Sequence, residues 1–212
     1  MNLIVAATNK EIKPFFSALE TSQTSMTFVS GVGCFETTLN LTRFFCRSNR
    51  ENITRVVHVG IAGAFQNGGA APLDICVAKE EIFADFGICC NERIESFNFA
   101  ECPETTQFLN ESCVKELNHF FEQQGIPYVN GTFLTVNSVS GTGKRGDYLQ
   151  KKHHALCENM EGFAVARVCK EFQIPCLEVR CVSNLVEDRN RSNWVIDEAC
   201  EKLGQSLVPF LS

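Results

Sequence analysis

Short runs of β-forming residues alternate along this chain with segments of helical periodicity, and that alternation limits the possible folds more than any other feature. Apolar runs of strand length lie at residues 3–7, 26–30, 55–59, 73–84, 131–139 and 176–182. Helices are predicted from Thr8 or Asn9, with Pro14 in the first turn, and over residues 37–47, 104–124, 161–172 and about 194–210. This alternation predicts an α/β fold in which helices cover both faces of a mainly parallel central sheet.

The length and composition indicate one globular domain that covers residues 1–212. Hydrophobic side chains make up 44% of the chain, enough for a full-sized core. The formal charge of −6 argues against nucleic acid as a partner, because phosphate binding requires clustered basic residues. No apolar stretch approaches the ~20 residues that span a bilayer, and the first residues carry no basic leader. We therefore expect a cytoplasmic protein that does not bind membranes.

The twelve cysteines include no C-x-x-C pair, which favours reduced thiols that fill the core over a disulfide framework. The four histidines lack the spacing of metal ligands, since His153 and His154 are adjacent and His58 and His119 are isolated. His58 lies in an apolar run, which favours a hydrogen-bonded core residue over a catalyst. We expect neither a metal nor another cofactor.

Glycine-rich and polar segments follow several of the predicted strands, at residues 8–11, 60–63, 137–143 and 183–184. The carboxyl ends of parallel strands lie along one edge of a sheet, and open α/β folds bind ligands there. The small residues of the segment 60–63 also allow close approach of backbone or ligand. The sequence therefore predicts a ligand site at this edge.

Two motifs place polar groups against apolar structure. Asn159-Met160-Glu161-Gly162 puts a carboxylate at the start of a predicted helix, and Arg180-Cys181-Val182-Ser183-Asn184 ends a predicted strand on two hydrogen-bonding side chains. With these motifs, the glycine segment 60–63 and Asn9-Lys10-Glu11, the chain resembles the purine nucleoside phosphorylase and nucleosidase superfamily over nearly its whole length. The resemblance implies a single-domain, three-layer nucleoside phosphorylase-like fold with a mixed, mainly parallel sheet flanked by helices.

The resemblance also implies that the chain breaks the bond between a purine and ribose, through an oxocarbenium-like sugar. It assigns water activation to Glu11, the ribose hydroxyls to Glu161 and the face of the sugar to Met160. From its position alone, Glu11 is better explained as an exposed first-turn acid that the helix dipole favours. Met160 and Glu161 have a similar alternative, as a core residue and a helix-start acid.

Asn184 bears on which purine leaves. An Asp at this position can be protonated to bond N7 beside an exocyclic amine, whereas an amide offers a donor and an acceptor together. Asn184 therefore predicts a 6-oxopurine such as hypoxanthine and argues against methylthioadenosine, unless it only caps the strand end. The resemblance further implies that Val139 and Ser140 contact the base, with plain strand and turn roles as the alternative.

Residues 136–141 and 183–194 are most similar, within the superfamily, to enzymes that release hypoxanthine from a nucleoside whose ribose carries a benzoate. Arg189, Arg191 and Trp194 form a basic, aromatic segment directly after Asn184. An arginine fork and an aromatic face suit a benzoate carboxylate, so one of these arginines is predicted to bind it. A solvated surface loop is the alternative.

The nucleophile is predicted from Ile61 and His58. Ile61 stands where phosphorylases of the superfamily commonly have a phosphate-binding Ser, and His58 stands where hexameric phosphorylases often have Arg. An isoleucine and a nearby acid disfavour a phosphate dianion, so water is the expected nucleophile and Ile61 a substrate-contacting residue. A phosphorylase, an adenosine-type nucleosidase and an inactive purine-binding module are the alternatives, and the resemblance implies a homo-oligomer.

Overall fold

The computed structural model describes residues 1–19, 24–47, 50–91, 93–97 and 99–212 and shows an α/β fold with a mixed sheet. The strands are β1 (Asn2–Ala6), β2 (Ser25–Val29), β3 (Arg55–Phe65), β4 (Ile75–Phe83), β5 (Ile88–Cys90), β6 (Arg93–Glu95), β7 (Thr106–Phe108), β8 (Tyr128–Thr135), β9 (Cys157–Asn159) and β10 (Cys176–Val186). The helices are α1 (Asn9–Leu19), α2 (Gly33–Arg47), α3 (Glu111–Gln124), α4 (Gly143–His153), α5 (Gly162–Phe172) and α6 (Ile196–Leu211).

The long strand β3 organises the main sheet. It pairs in parallel with β1 and β10, and β1 pairs in parallel with β2. β10 pairs antiparallel with β4, β4 pairs in parallel with β8, and β8 pairs in parallel with β9. Because β9 pairs antiparallel with β3, the strands β3, β10, β4, β8 and β9 form a closed circuit. The sheet is therefore partly closed, and its rim positions the cavity described below.

Two predicted strands are longer than the sequence pattern indicates. The strand predicted at 55–59 continues through the glycine segment to Phe65, because β10 and β9 supply hydrogen-bonding partners on both sides. The strand predicted at 176–182 continues to Val186 after a β-bulge between Val182 and Asn184. Asn184 therefore lies inside a strand, directly after its irregularity, and does not cap its end.

The helix predicted at 104–124 is wrong in its first part. Residues Thr106–Phe108 form β7, which pairs antiparallel with β4. The helix begins only at Glu111, because the side chain of Asn110 accepts a hydrogen bond from the backbone N–H of Cys113 and caps it. Its end before Gly125 is as predicted, and Gly125 has the left-handed conformation (φ 65°) that favours glycine.

Pro14 is not in the first turn of α1, since the helix begins at Asn9 and Pro14 is its sixth residue. The helix α4 follows no sequence prediction, because its residues are mostly polar and only Gly146 and Leu149 are buried. It begins after Thr142, whose hydroxyl accepts a hydrogen bond from the N–H of Arg145.

Most of the cysteines are buried, as the core-filling prediction requires. Seven are buried: Cys76, Cys113, Cys157, Cys169, Cys176, Cys181 and Cys200. This confirms the core-filling interpretation for these seven, whereas Cys46, Cys89 and Cys90 are exposed. Across the described ranges, no helix combines the length and the apolar character that crossing a membrane requires.

Candidate functional site

A cavity of about 400 Å³ lies where β1, β3, β9 and β10 approach one another, and it collects nearly all of the predicted site residues. Nine of the ten line it: Glu11, Ile61, Val139, Ser140, Met160, Glu161, Asn184, Arg189 and Trp194. Arg191 does not line it, because it lies exposed in a short 3₁₀ turn (Arg191–Asn193). The four polar and glycine-rich segments thus meet at one place, although 60–63 and 183–184 lie within strands and not beyond their ends.

Glu11 lines the cavity and is buried, at the start of α1. Its Oε2 accepts a hydrogen bond from the hydroxyl of Thr8 (2.7 Å), and its Oε1 accepts one from the backbone N–H of Ile61 (3.1 Å). Gly60 makes this approach possible, since a Cβ there would occupy the space of Glu11 Oε1 and Arg180 Nη1. Thr8 and the backbone of β3 therefore hold the carboxylate in place. Glu11 is not the exposed first-turn acid of the alternative interpretation.

Glu161 directly precedes α5, but its side chain makes no capping bond to that helix. Instead its Oε1 accepts a hydrogen bond from the N–H of Gly33 (2.9 Å), the first residue of α2. The start of a helix favours a negative charge. The carboxylate is buried and still lines the cavity, beside Met160.

Arg180 places a buried positive charge close to the carboxylates of Glu11 and Glu161. Its guanidinium is fully buried, with Nη1 3.9 Å from Oε2 of Glu161 and Nε 2.8 Å from Oε1 of Glu178. Nη2 lies 3.1 Å from Nε2 of His58, so His58 is the hydrogen-bonded core residue that the sequence favours. Burial alone would raise the pKa of Glu178, but Arg180 and His58 lower it to about 2.

Asn159 connects this cluster to the segment that carries Met160 and Glu161. Its Oδ1 accepts hydrogen bonds from the backbone N–H groups of Glu161 (2.9 Å) and Gly162 (2.8 Å). Its Nδ2 donates to Oε1 of Glu81. Burial, and next the charge of Glu178, raise the pKa of Glu81 well above its usual range. Glu81 therefore tends to its neutral form and orients Asn159 without adding a charge to the cluster.

Asn184 is aimed by its neighbours at the bulge of β10. Its Oδ1 accepts a hydrogen bond from the hydroxyl of Ser183 (2.8 Å), and its Nδ2 donates to the carbonyl of Leu185 (3.0 Å). One N–H and one acceptor position of the amide are left for a ligand. β-Bulges often re-aim a side chain near a binding site, and here the bulge turns the amide into the cavity.

Ser140 and Val139 form a further part of the wall. The backbone N–H and the hydroxyl of Ser140 both donate to the carboxylate of Glu158, each at a distance of 2.7 Å. Both donors with which Ser140 could contact a base directly are therefore already used within the protein. Val139 is exposed and contributes an apolar surface.

Arg189 and Trp194 lie at the mouth of the cavity, with the Arg189 guanidinium 4.9 Å from the centre of the Trp194 ring. Lys10 also lines the cavity, and its Nζ forms an exposed ion pair with Oδ1 of Asp197 at a distance of 2.6 Å. Among the described lining residues, Lys10 and Arg189 are the cations, and Glu11, Glu158 and Glu161 are the carboxylates. The described part of the chain holds no group of three or more His, Cys, Asp or Glu side chains arranged for a metal ion.

The sequence prediction missed three residues of this region: Glu158, Asn159 and Arg180. Arg180 and Asn159 appear in the motifs but received no role. A signal for Arg180 exists, because Glu178 and Arg180 are two opposite charges in an apolar strand, spaced to point to the same face. Nothing in the sequence distinguishes Glu158 from a surface acid before β9 is paired with β3.

The family model described as "Phosphorylase superfamily" matches residues 11–212. The chain belongs to the phosphorylase superfamily. It is 32% identical over 155 residues to a futalosine hydrolase of Acidothermus cellulolyticus. That alignment covers 73% of this chain and 63% of the relative. The chain is 46% identical over 85 residues to a futalosine hydrolase of Streptomyces coelicolor, which covers 38% of this chain and 36% of that protein. The aligned parts thus span less than two thirds of either relative.

A solved structure shows that the fold is shared beyond these alignments. The 5′-methylthioadenosine/S-adenosylhomocysteine nucleosidase of S. pneumoniae, bound to a transition-state inhibitor, superposes with a TM-score of 0.82 at 18% identity. The superposition covers 100% of this chain and 98% of that chain. At this identity the likeness establishes the nucleoside phosphorylase-like fold of this superfamily member.

Proposed function

We propose that this member of the superfamily is a futalosine hydrolase, which splits futalosine into hypoxanthine and dehypoxanthine futalosine in menaquinone biosynthesis. The observation that carries the proposal is that two buried carboxylates, Glu11 and Glu161, and the amide of Asn184 line one cavity. The named activity of the two sequence relatives agrees with that set of groups.

The reaction transfers one water molecule across the N-ribosyl bond. As the bond between C1′ and N9 breaks, its electron pair goes to the purine and positive charge develops on the sugar. Water attacks C1′ and gives a proton to Glu11, while N7 of the purine gains a proton from a bound water near Asn184. The proton on Glu11 returns through solvent to that water, so that one water molecule is consumed in total. The Thr8 and Ile61 hydrogen bonds orient the Glu11 carboxylate for this step.

Glu161 and Met160 bind the sugar in this proposal. The carboxylate of Glu161 accepts hydrogen bonds from the ribose hydroxyls, and its charge stabilises the developing cation. Met160 packs on the face of the ribose. Gly33 and Arg180 hold Glu161 in place before the substrate arrives, so little reorganisation is needed in the transition state.

Asn184 binds the leaving base. Ser183 fixes the direction of its amide, which leaves one N–H to donate to O6 or N7 of a 6-oxopurine. Val139 supplies an apolar wall against the base, and Ile61 contacts the substrate between base and sugar. Ser140 acts on the base indirectly, because its donors are bound to Glu158.

Water, and not phosphate, is the nucleophile. The Ile61 N–H, which lies in the glycine segment, is already bonded to Glu11. A phosphate there would face a buried carboxylate at short distance, and this repulsion is strong where water is excluded. The reaction needs no metal or cofactor.

The benzoate of futalosine lies at the cavity mouth in this proposal, where its carboxylate pairs with Arg189 and its ring contacts Trp194. The Arg189–Trp194 stacking supports this, since it holds the guanidinium beside the cavity. Arg191 was an equal candidate from the sequence, but its exposed position outside the cavity favours Arg189.

The proposal extends to assembly and location: one catalytic domain of residues 1–212, three-layered with a mainly parallel sheet, working in the cytoplasm as a homo-oligomer. Val32, Phe35 and Leu39 expose apolar side chains at the beginning of α2, and Val32 also lines the cavity, which supports oligomer formation next to the site. Sedimentation velocity of the purified chain tests the assembly, and a monomer across micromolar concentrations contradicts it.

Product analysis tests the activity. The purified protein is incubated with futalosine, inosine and 5′-methylthioadenosine, with and without phosphate, and the products are separated by chromatography. We expect hypoxanthine from futalosine at the same rate with and without phosphate. Ribose 1-phosphate-type products would indicate a phosphorylase, and adenine from methylthioadenosine would indicate the activity of the structural neighbour. Binding without turnover of any substrate would indicate a purine-binding module.

A further inference from the structure

Glu158 is a buried carboxylate in the cavity wall that the reaction above does not use. It lies in β9, is 4% exposed and lines the cavity together with the groups assigned to the base. Burial of a carboxylate is unfavourable unless hydrogen bonds compensate for the lost water. A residue kept in this position therefore calls for a reason beyond packing.

Ser140 holds the Glu158 carboxylate in one orientation. Its N–H donates to Oε1 and its hydroxyl to Oε2, so each carboxylate oxygen has one bond and keeps further acceptor capacity. Both donors come from the segment that carries Val139, on the base side of the cavity. The remaining acceptor positions are free for a donor on the ligand.

Asn184 and Glu158 lie on the two sides of Gly63. A Cβ placed on Gly63 would be 3.2 Å from Nδ2 of Asn184 and 3.8 Å from Cγ of Glu158. Gly63 is paired with Glu158 across β3 and β9 and with Asn184 across β3 and β10. An amide and a carboxylate thus flank the same glycine, within reach of one edge of a purine.

We infer that Glu158 accepts a hydrogen bond from the N1–H of a 6-oxopurine and thereby selects such bases over 6-aminopurines. A 6-oxopurine carries a hydrogen on N1 and an acceptor at O6, which match a carboxylate and an amide donor. A 6-aminopurine carries a lone pair on N1, which would face the carboxylate without a hydrogen between them. The inference rests on the proposed function, since it assigns the base subsite of that same cavity.

Glu158→Gln tests this with the fold preserved. The Gln carbonyl can accept from the Ser140 N–H and its amide can donate to the Ser140 hydroxyl, so the segment stays in place while the negative charge and the acceptor at the Oε2 position are replaced by an N–H donor. We expect kcat/KM for futalosine to fall about 100-fold and that for its 6-amino analogue to change far less, because a site built for a hydrogen-bond donor discriminates strongly.

Calorimetric binding of hypoxanthine and adenine provides a readout that needs no turnover. The parent protein should bind hypoxanthine at least tenfold more tightly than adenine, and Glu158→Gln should remove that difference. Glu80→Gln is the matched control, because Glu80 lies on β4 outside the cavity and bonds Thr132 over 2.7 Å. It should leave both affinities unchanged.

Equal losses for the two substrates and the two bases would overturn the inference, since they would make Glu158 only a support for Ser140. A parent protein that prefers adenine would overturn it as well. If Glu158→Gln does not fold, Glu158→Asp, which keeps the acceptor, should retain the preference for hypoxanthine. Base selection by Glu158 without cleavage of futalosine would refute the proposed function and leave this inference standing.

Discussion

The buried guanidinium of Arg180 lies 3.9 Å from the carboxylate of Glu161, so a permanent positive charge stands behind the acid assigned to the ribose. The same guanidinium is bonded to Glu178 and reaches the carbonyl of Ile61. The Arg180 side chain of β10 thus connects the long strand β3 with Glu161 in the wall of the cavity. The arrangement stabilises the fold and positions the site at once.

Arg180→Lys tests how far this depends on the guanidinium fork. A lysine keeps the charge but cannot bond Glu178, His58 and Ile61 together. We expect the free energy of unfolding to fall by about 3 kcal/mol, as when a buried ion pair is broken, and kcat to fall as well. Arg167→Lys is the control, because its pair with Glu171 is exposed and contributes about 0.5 kcal/mol or less. Urea denaturation measures both, and equal stabilities for the two variants would contradict the prediction.

Glu11→Gln should lower kcat by about 10²- to 10⁴-fold, the usual contribution of a general base, with little change in the melting temperature. The matched control is Glu36→Gln, since Glu36 is also a first-turn acid but is exposed on α2. If helix-dipole stabilisation were the only role of Glu11, the two variants would behave alike. Steady-state kinetics with futalosine separate the cases, and a Glu11→Gln variant with parental kcat rules out the assignment.

Gly60→Ala places a methyl group where Glu11 Oε1 and Arg180 Nη1 now lie. Both groups must shift, so we expect kcat to fall at least tenfold and the protein to lose about 1–3 kcal/mol, as for overpacked cores. Gly143→Ala is the control, since the nearest atom to an added Cβ there is 3.9 Å away. Kinetics and thermal unfolding of the two variants provide the comparison, and an active, stable Gly60→Ala protein would contradict the geometry.

The sequence predicts the location of the site better than the shape of the sheet. The carboxylates and the amide lie in short motifs, and local motifs are visible along the chain. Strand ends are not, because β3 and β10 extend through Gly60–Gly63 and Ser183 only when each supplies hydrogen bonds to the other. A local pattern contains no information about that pairing.

The same reason explains the omissions. The polar helix α4 has no apolar periodicity. β7 and β9 are strands of only three residues, and only their pairing with neighbouring strands identifies them. Glu158 and Arg180 acquire their roles from cross-strand neighbours that are distant in sequence. Arg191 shows the converse, since a residue two positions from a cavity-lining one points elsewhere once the 3₁₀ turn forms.

Glu178 and Glu81 should differ strongly in how much stability an amide substitution removes. Glu178→Gln leaves Arg180 without its nearest counter-charge, and we expect a loss of about 3–5 kcal/mol. Glu81→Gln replaces a carboxyl whose raised pKa favours the neutral form, so the amide should cost about 1 kcal/mol or less. Chemical denaturation at pH 7 measures both, and a larger loss for Glu81→Gln would contradict the assignment of charge.

The pKa of Glu178 also predicts how stability depends on pH. Its folded pKa of about 2 lies below the ordinary value of 4.5, so the unfolded chain binds more protons between these values. The contribution of Glu178 is therefore complete above pH 4.5 and is lost as the pH falls toward 2. Urea midpoints measured from pH 7 to pH 3 should decrease in this window, and the Glu178→Gln variant should show a shallower decrease.

Arg189→Ala should raise KM for futalosine at least tenfold and leave kcat within a few-fold, because a carboxylate contact remote from the reacting bond contributes mainly to binding. Arg191→Ala, with the same charge change two residues away, should alter KM by less than twofold, since Arg191 lies outside the cavity. Inosine, which has no benzoate, should be bound equally by the parent and both variants. Unchanged KM for futalosine in both variants would place the benzoate elsewhere, whereas a larger effect at Arg191 would require the 3₁₀ turn to rearrange when the substrate binds.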